Sequence, residues 1–248
     1  MTYIPNPHPA LASPAPNGQP RVDFLAWFNE GFVVTDGHLL ANPANPELIY
    51  TRLLPEAYNQ PTIDPYLAIM HSQAGSGKAS NDQLYGWLVR EEVKLEPHII
   101  GPEMVTGAML QTVPFNHRAD CNLAANRFTI DDGNGGVRYV GALSYEMQDL
   151  GGKTLDNTPM TERQMQSVIG LLTAACATYQ IPCIEVPATT RMTLWKGLSY
   201  HKKNNSMWSS SAHSCPGASR IAQFPWVVHN VATRLAHVYG AWGIGCPA

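Results

Sequence analysis

Asp64-Pro65-Tyr66-Leu67-Ala68-Ile69-Met70-His71-Ser72-Gln73-Ala74-Gly75 is the stretch on which the fold turns. The run 67–70 is wholly apolar, follows Asp-Pro and precedes a Gly/Ser loop, which is the pattern of a central strand buried on both faces. His71 therefore stands where that strand ends. Downstream, Leu84, Trp87 and Leu88 behind a possible Asn81 cap predict a helix over 81–92. Segments 98–100, 109–115 and 139–147 have strand patterns separated by Gly-containing loops. In the last of these, alternation places Val140, Ala142, Ser144 and Glu146 on one face. A carboxylate at the end of that row is out of place in a core.

The clearest helix follows. Thr161-x-x-Gln164 has the form of a capping box, and Met165, Val168, Ile169, Leu172, Cys176 and Tyr179 recur at helical spacing, predicting a helix over 161–179. Segments 184–186 and 197–200 read as short strands. A C-terminal helix over 217–239 turns Ile221, Val228, Val231, Leu235 and Val238 inward, with a kink or break at Pro225. Upstream, 22–32 has a short helical pattern, and 41–60 reads as loop with one helical turn at 46–54. Prolines at 5, 7, 9, 14, 16 and 20 make the first residues an extended tail. Strands mixed with long helices give the fold class: α/β, with a central mixed β-sheet flanked by helices on both sides.

Composition narrows what such a fold can do. Of the 248 residues only 14% are charged, and 16 Lys plus Arg against 19 Asp plus Glu leave a net charge of −3. No dense basic run exists to neutralise a row of phosphates, so nucleic acid is not an expected partner. No apolar run approaches the roughly 20 residues that span a bilayer, so membrane insertion is not expected. The N-terminus lacks the cationic start and apolar block of a secretory signal. Five cysteines, an odd and small number for this length, fit reduced thiols better than a disulfide framework.

Metal-competent or titratable groups gather at three element ends: His71 after its strand, Ser144-Tyr145-Glu146, and the segment from Tyr200-His201 to Ala212-His213-Ser214-Cys215-Pro216-Gly217. Zinc takes imidazole nitrogen and thiolate readily, and a catalytic site uses three protein ligands. Two histidines and one cysteine would suffice. The order of these elements, together with Gln111-Thr112-Val113-Pro114-Phe115, Arg118-Ala119-Asp120 and Gly141-Ala142-Leu143-Ser144, resembles the zinc-dependent N-acetylmuramoyl-L-alanine amidases of the peptidoglycan-recognition-protein fold, above all endolysins of actinobacteriophages. The resemblance covers roughly 66–225 and leaves 1–60 outside.

What the resemblance implies is specific. One zinc per chain would be held by His71, His201 and Cys215, with His213, two residues before Cys215, either competing as a ligand or stabilising the oxyanion. Glu146 matches the catalytic glutamate. Some relatives use a Tyr before an early His; here the dipeptide is Pro97-His98, so Glu146 carries more of that role. His98, Arg118 and Asn126 are the expected substrate contacts. Residues 1–21 form the tail and 22–248 the amidase domain, divided into an extension (22–60) and a catalytic core (61–248). The implied partner is bacterial peptidoglycan, met by a monomer. The implied setting is a phage enzyme made in the host cytoplasm that reaches the wall after holin-type release, with lytic and hence antimicrobial action. A non-catalytic peptidoglycan-binding module of the same fold is the alternative, and a thiol hydrolase built on Cys215 or Cys121 is a more distant one.

Overall fold

The computed structural model describes residues 32–41, 46–55, 57, 60–73, 79–90, 97–122, 128–131, 133–150, 158–187, 196–204 and 214–241. The expected tail, most of the helical pattern over 22–32, and the site candidates Asn126 and His213 lie outside these residues.

Among the described residues nine strands follow in chain order: β1 Val33–Thr35, β2 His38–Leu40, β3 Ile49–Thr51, β4 Asp64–Ser72, β5 Ile99–Ile100, β6 Met109–Gln111, β7 Phe128–Asp131, β8 Val137–Met147 and β9 Gly197–Tyr200. Three α-helices of the described residues accompany them: α1 Asn81–Arg90, α2 Glu162–Tyr179 and α3 Ala218–Ala241. The main sheet has the order β3-β6-β5-β8-β4-β9, with β7 pairing β8 off that path, while β1 and β2 make a separate hairpin. Pairing is mixed. β8, β4 and β9 run parallel, as do β5 with β8 and β3 with β6, whereas β5–β6 and β7–β8 are antiparallel.

The apolar stretch around Leu67 is central because β4 is paired on both sides, by β8 and β9. Its alternate residues feed two cores. Ala68 and Met70, with Leu143, Tyr145 and Met147 of β8, pack under α2 and α3 against Met165, Ile169, Leu172, Phe224, Val227 and Val231. Leu67 and Ile69, with Val140 and Ala142, form a smaller cluster on the opposite face. On that same side α1 covers the other end of the sheet through Tyr85 and Leu88 against Ile100 and Leu110. Helices therefore cover both faces, as the α/β reading expects.

Local chemistry explains the element ends. Thr161 caps α2 with a full capping box: its hydroxyl accepts from the Gln164 amide at 3.2 Å, and the Gln164 side chain accepts from the Thr161 amide at 3.1 Å. The cap of α1 is Ser80 rather than Asn81. The Ser80 amide donates to Gln83 Oε1 at 2.9 Å and the Gln83 amide donates to Ser80 Oγ at 3.3 Å. That frees the buried Asn81 amide group to donate to the Ala108 carbonyl at 2.9 Å.

Other expectations change. Segment 46–54 holds a 3-10 turn, Pro46–Leu48, followed by β3, because Ile49 finds a parallel partner in Met109 that three residues of sequence cannot announce. Residues of the expected extension also join the core: Phe32 and Leu39 are buried in it. Segment 184–186 makes only an isolated parallel bridge, Glu185 to Leu198. There Gly197, at φ +142°, lets the chain pass so close that a Cβ would stand 2.6 Å from the Ile184 carbonyl oxygen. Helix α3 runs on through Pro225, held across the missing hydrogen bond by the buried Phe224 and Val227 on either side. No helix of the described residues is long and apolar enough to cross a membrane.

Candidate metal centre

Register assembles the site. In the parallel pairing of β4 with β8, His71 lies opposite Glu146, and in the pairing with β9, Met70 lies opposite Tyr200, so that His201 follows beside His71. Three neighbouring strands thus deliver Glu146, His71 and His201 to their shared carboxyl edge, the edge where open α/β sheets bind ligands. Strand β4 runs through Ser72, so His71 is its penultimate residue rather than the first beyond it.

Cys215 arrives from the other side of the chain and is pinned twice. Its carbonyl accepts from the Lys202 amide at 2.8 Å, tying it to the 3-10 turn His201–Asn204. Its sulfur accepts from the Ser72 amide at 3.2 Å. The Nδ1 of His71 is 4.0 Å from Cys215 Sγ, and the two imidazole centroids are 4.7 Å apart. Ligand atoms of His71, His201 and Cys215 all lie within 4.8 Å of one another, the one such trio among the described residues. All three residues are buried.

A pair of imidazoles and a thiol, desolvated and already converged, can hold a metal ion; two nitrogens and one sulfur is a donor set that suits zinc. Glu146 stands beside it, with Oε1 3.8 Å from His71 Nδ1 and a side chain one-fifth exposed (20%). Burial pushes the Glu146 carboxyl up to about 8, with the Cys121 thiol working against that rise. Burial likewise pushes the Cys215 thiol up to about 12, helped by Glu146 and opposed by its bonds from Ser72. Behind the trio, the buried guanidinium of Arg220 lies 3.8 Å from Asp149 and donates to the Gln148 carbonyl at 2.6 Å.

The remaining candidates divide. Arg118 is tied to Asp120 at 3.3 Å and donates to Gln60 at 3.4 Å, keeping a third of its side chain (33%) exposed. His98 is a correction. It is fully buried, its Nδ1 accepts from the Ser144 amide at 3.1 Å and its Nε2 donates to the His117 carbonyl at 2.9 Å. Both ring nitrogens are used and no surface remains for a substrate, so His98 braces the strand beneath Glu146 instead. From sequence Cys121 is only a rival nucleophile, yet its thiol lies 3.7 Å from Glu146 Oε1. No spacing rule connects positions 121 and 146, so no sequence signal was there to find.

The state of His98 gives a pH prediction. Burial lowers its pKa to about 4 from 6.5, partly offset by the bond to His117. A folded value below the unfolded one means that unfolded chains bind the proton first on acidification, so this contribution is complete above pH 6.5 and is lost as pH falls toward 4. A shift of that size corresponds to roughly 3 kcal/mol. Denaturation curves of wild type and His98→Gln should differ in their pH dependence across this window. Parallel curves would show that His98 does not titrate as its burial demands.

No family model and no curated protein matches the chain by sequence. Solved structures do match it. The Staphylococcus aureus hydrolase AmiA, solved with its ligand, superposes with a TM-score of 0.50 at 10% identity, over 81% of this chain and 87% of that one. The endolysin N-acetylmuramoyl-L-alanine amidase LysCS of Clostridium intestinale gives 0.48 at 14% identity, over 74% and 94%. Drosophila peptidoglycan recognition protein SD gives 0.44 at 13%, over 71% and 92%. The likeness to AmiA is one of fold, and it agrees with the expected α/β architecture.

Proposed function

We propose that this chain is a zinc-dependent N-acetylmuramoyl-L-alanine amidase, cleaving the lactyl amide between N-acetylmuramic acid and the L-alanine of the stem peptide, and serving as a phage endolysin. The observation that carries the reading is the convergence of His71, His201 and Cys215 with the Glu146 carboxylate beside them at the carboxyl edge of β8, β4 and β9. Held by those three residues, zinc would supply Lewis acidity, making water a competent nucleophile at neutral pH and polarising the scissile carbonyl.

The chain's own groups do the rest. Glu146 takes the proton from the attacking water and returns it to the leaving amine of L-alanine. The backbone clamp between Lys202 and Cys215 and the Ser72 amide on the thiol keep the ligands converged before any ion binds, so little reorganisation is needed. His213, by its place two residues before Cys215, is proposed to donate to the developing oxyanion, and Arg118 and Asn126 to contact the glycopeptide. A further proposal is that 61–248 forms the catalytic core of a monomer, reaching the wall after release from the cytoplasm in which it is made.

Digestion of isolated cell walls tests the reaction. New amino termini on L-alanine should appear with no new reducing sugars, activity should vanish on chelation, and added Zn²⁺ should restore it. A glycosidase would produce reducing ends and would need a second carboxylate across the cleft. New reducing ends without new amino termini, or full activity after verified metal removal, would refute the proposal.

A further inference from the structure

We infer that Cys121 is a positioning residue: its thiol holds the Glu146 carboxylate clear of the metal-binding trio. The inference rests on the reading of Glu146 as the proton-transfer group. Among the described residues, that carboxylate's Oε1 lies 3.7 Å from Cys121 Sγ and 3.8 Å from His71 Nδ1. One neighbour is a ligand, the other a donor on a separate element. Cys121 sits in the 3-10 turn Asp120–Asn122, which packs against β8. The approach to that turn is anchored by the Arg118 amide donating to the Pro61 carbonyl at 2.9 Å and by the Arg118–Asp120 pair. The thiol is thus presented from a fixed backbone.

A glutamate so near His71 has a competing use. Three rotatable bonds let its carboxylate swing onto a bound cation as a further ligand, closing the position that a catalytic site must keep open. A donor to that same Oε1, carried on a separate turn, competes with the cation for the oxygen and biases the side chain away from that collapse. Cys215 cannot serve, because its sulfur is engaged by Ser72 and belongs to the trio itself. The S–H group is a weak donor, so its worth is that of an ordinary neutral hydrogen bond, which corresponds to a rate effect of about 3- to 10-fold.

The test compares wild type, Cys121→Ala, the nearly isosteric Cys121→Val, Cys121→Ser, Glu146→Gln and the Cys121→Ala/Glu146→Gln double variant. Measurements are kcat and KM on cell walls, zinc content, and zinc Kd by chelator competition. Both donorless variants should keep one zinc and an unchanged KM while kcat falls ~3- to 10-fold, and Cys121→Ser, which still donates, should recover most of it. The double variant should be no slower than Glu146→Gln alone, because Cys121 acts only through that carboxylate. Zinc Kd should tighten in Cys121→Ala and not in the double variant. Additive losses in kcat, no rescue by serine, or wild-type kcat in both donorless variants would overturn the inference while leaving the amidase reading intact. Normal turnover in Glu146→Gln itself would instead remove the premise.

Discussion

His71→Ala should leave a folded protein that holds almost no zinc and does not measurably release L-alanine termini from cell walls. The expectation is this strong because His71 stands at the centre of the site: it is within reach of Cys215 Sγ at 4.0 Å, of the His201 ring at 4.7 Å and of Glu146 at 3.8 Å. Losing a residue that merely supports a metal ligand typically costs 10- to 100-fold in affinity or activity, so losing a ligand from a set of three should cost more than about 100-fold in each. Cys215→Ser should behave similarly, since a hydroxyl is a poor substitute for a thiolate on zinc. Metal analysis and wall digestion on the same preparations decide it. Full zinc occupancy in either variant would dismantle the proposed site, whereas loss of zinc in His213→Ala with retention in His201→Ala would exchange one ligand for the other.

The second large effect is expected from Glu146→Gln. The substitution keeps shape and removes the ability to accept a proton, and losing general acid–base catalysis commonly costs ~10²- to 10⁴-fold. Zinc content and thermal midpoint should stay near wild type, because none of the trio is altered and the carboxylate is one-fifth exposed (20%) rather than packed in the core. Near-normal turnover would pass the role to another group. His98, the natural next choice from sequence, is buried and has both ring nitrogens occupied, so the search would have to turn to His213.

Much of this was legible in the chain itself. The apolar run 67–70 reads as a central strand because a strand covered on both faces needs no polar alternation, and β4 is indeed paired on both sides. The Thr161–Gln164 box and the 3.6-residue spacing after it mark α2 because capping and amphipathicity are settled within a few turns. Residue type marks His71, His201, His213 and Cys215 as metal-competent, the family resemblance selects His71, His201 and Cys215 among them, and Glu146 stands out as a carboxylate ending the row Val140, Ala142, Ser144.

Tertiary structure decided which of those residues meet. Sequence pattern determines which face a side chain takes but not its partner strand, and the placing of His71 opposite Glu146, with His201 one step beyond the β4–β9 pairing, follows from register between segments far apart in the chain. His98 and Cys121 make the same point from opposite sides. One is a substrate contact by resemblance, and in the fold it is a neutral brace with Phe115, Ser144 and the His117 carbonyl closed around it. The other had no partner at any readable spacing until a 3-10 turn set its thiol against a carboxylate twenty-five positions away. Caps and periodicities are short-range physics and can be read along the chain; desolvation and cross-strand contact depend on everything packed around a group, and exist only once the sheet has closed.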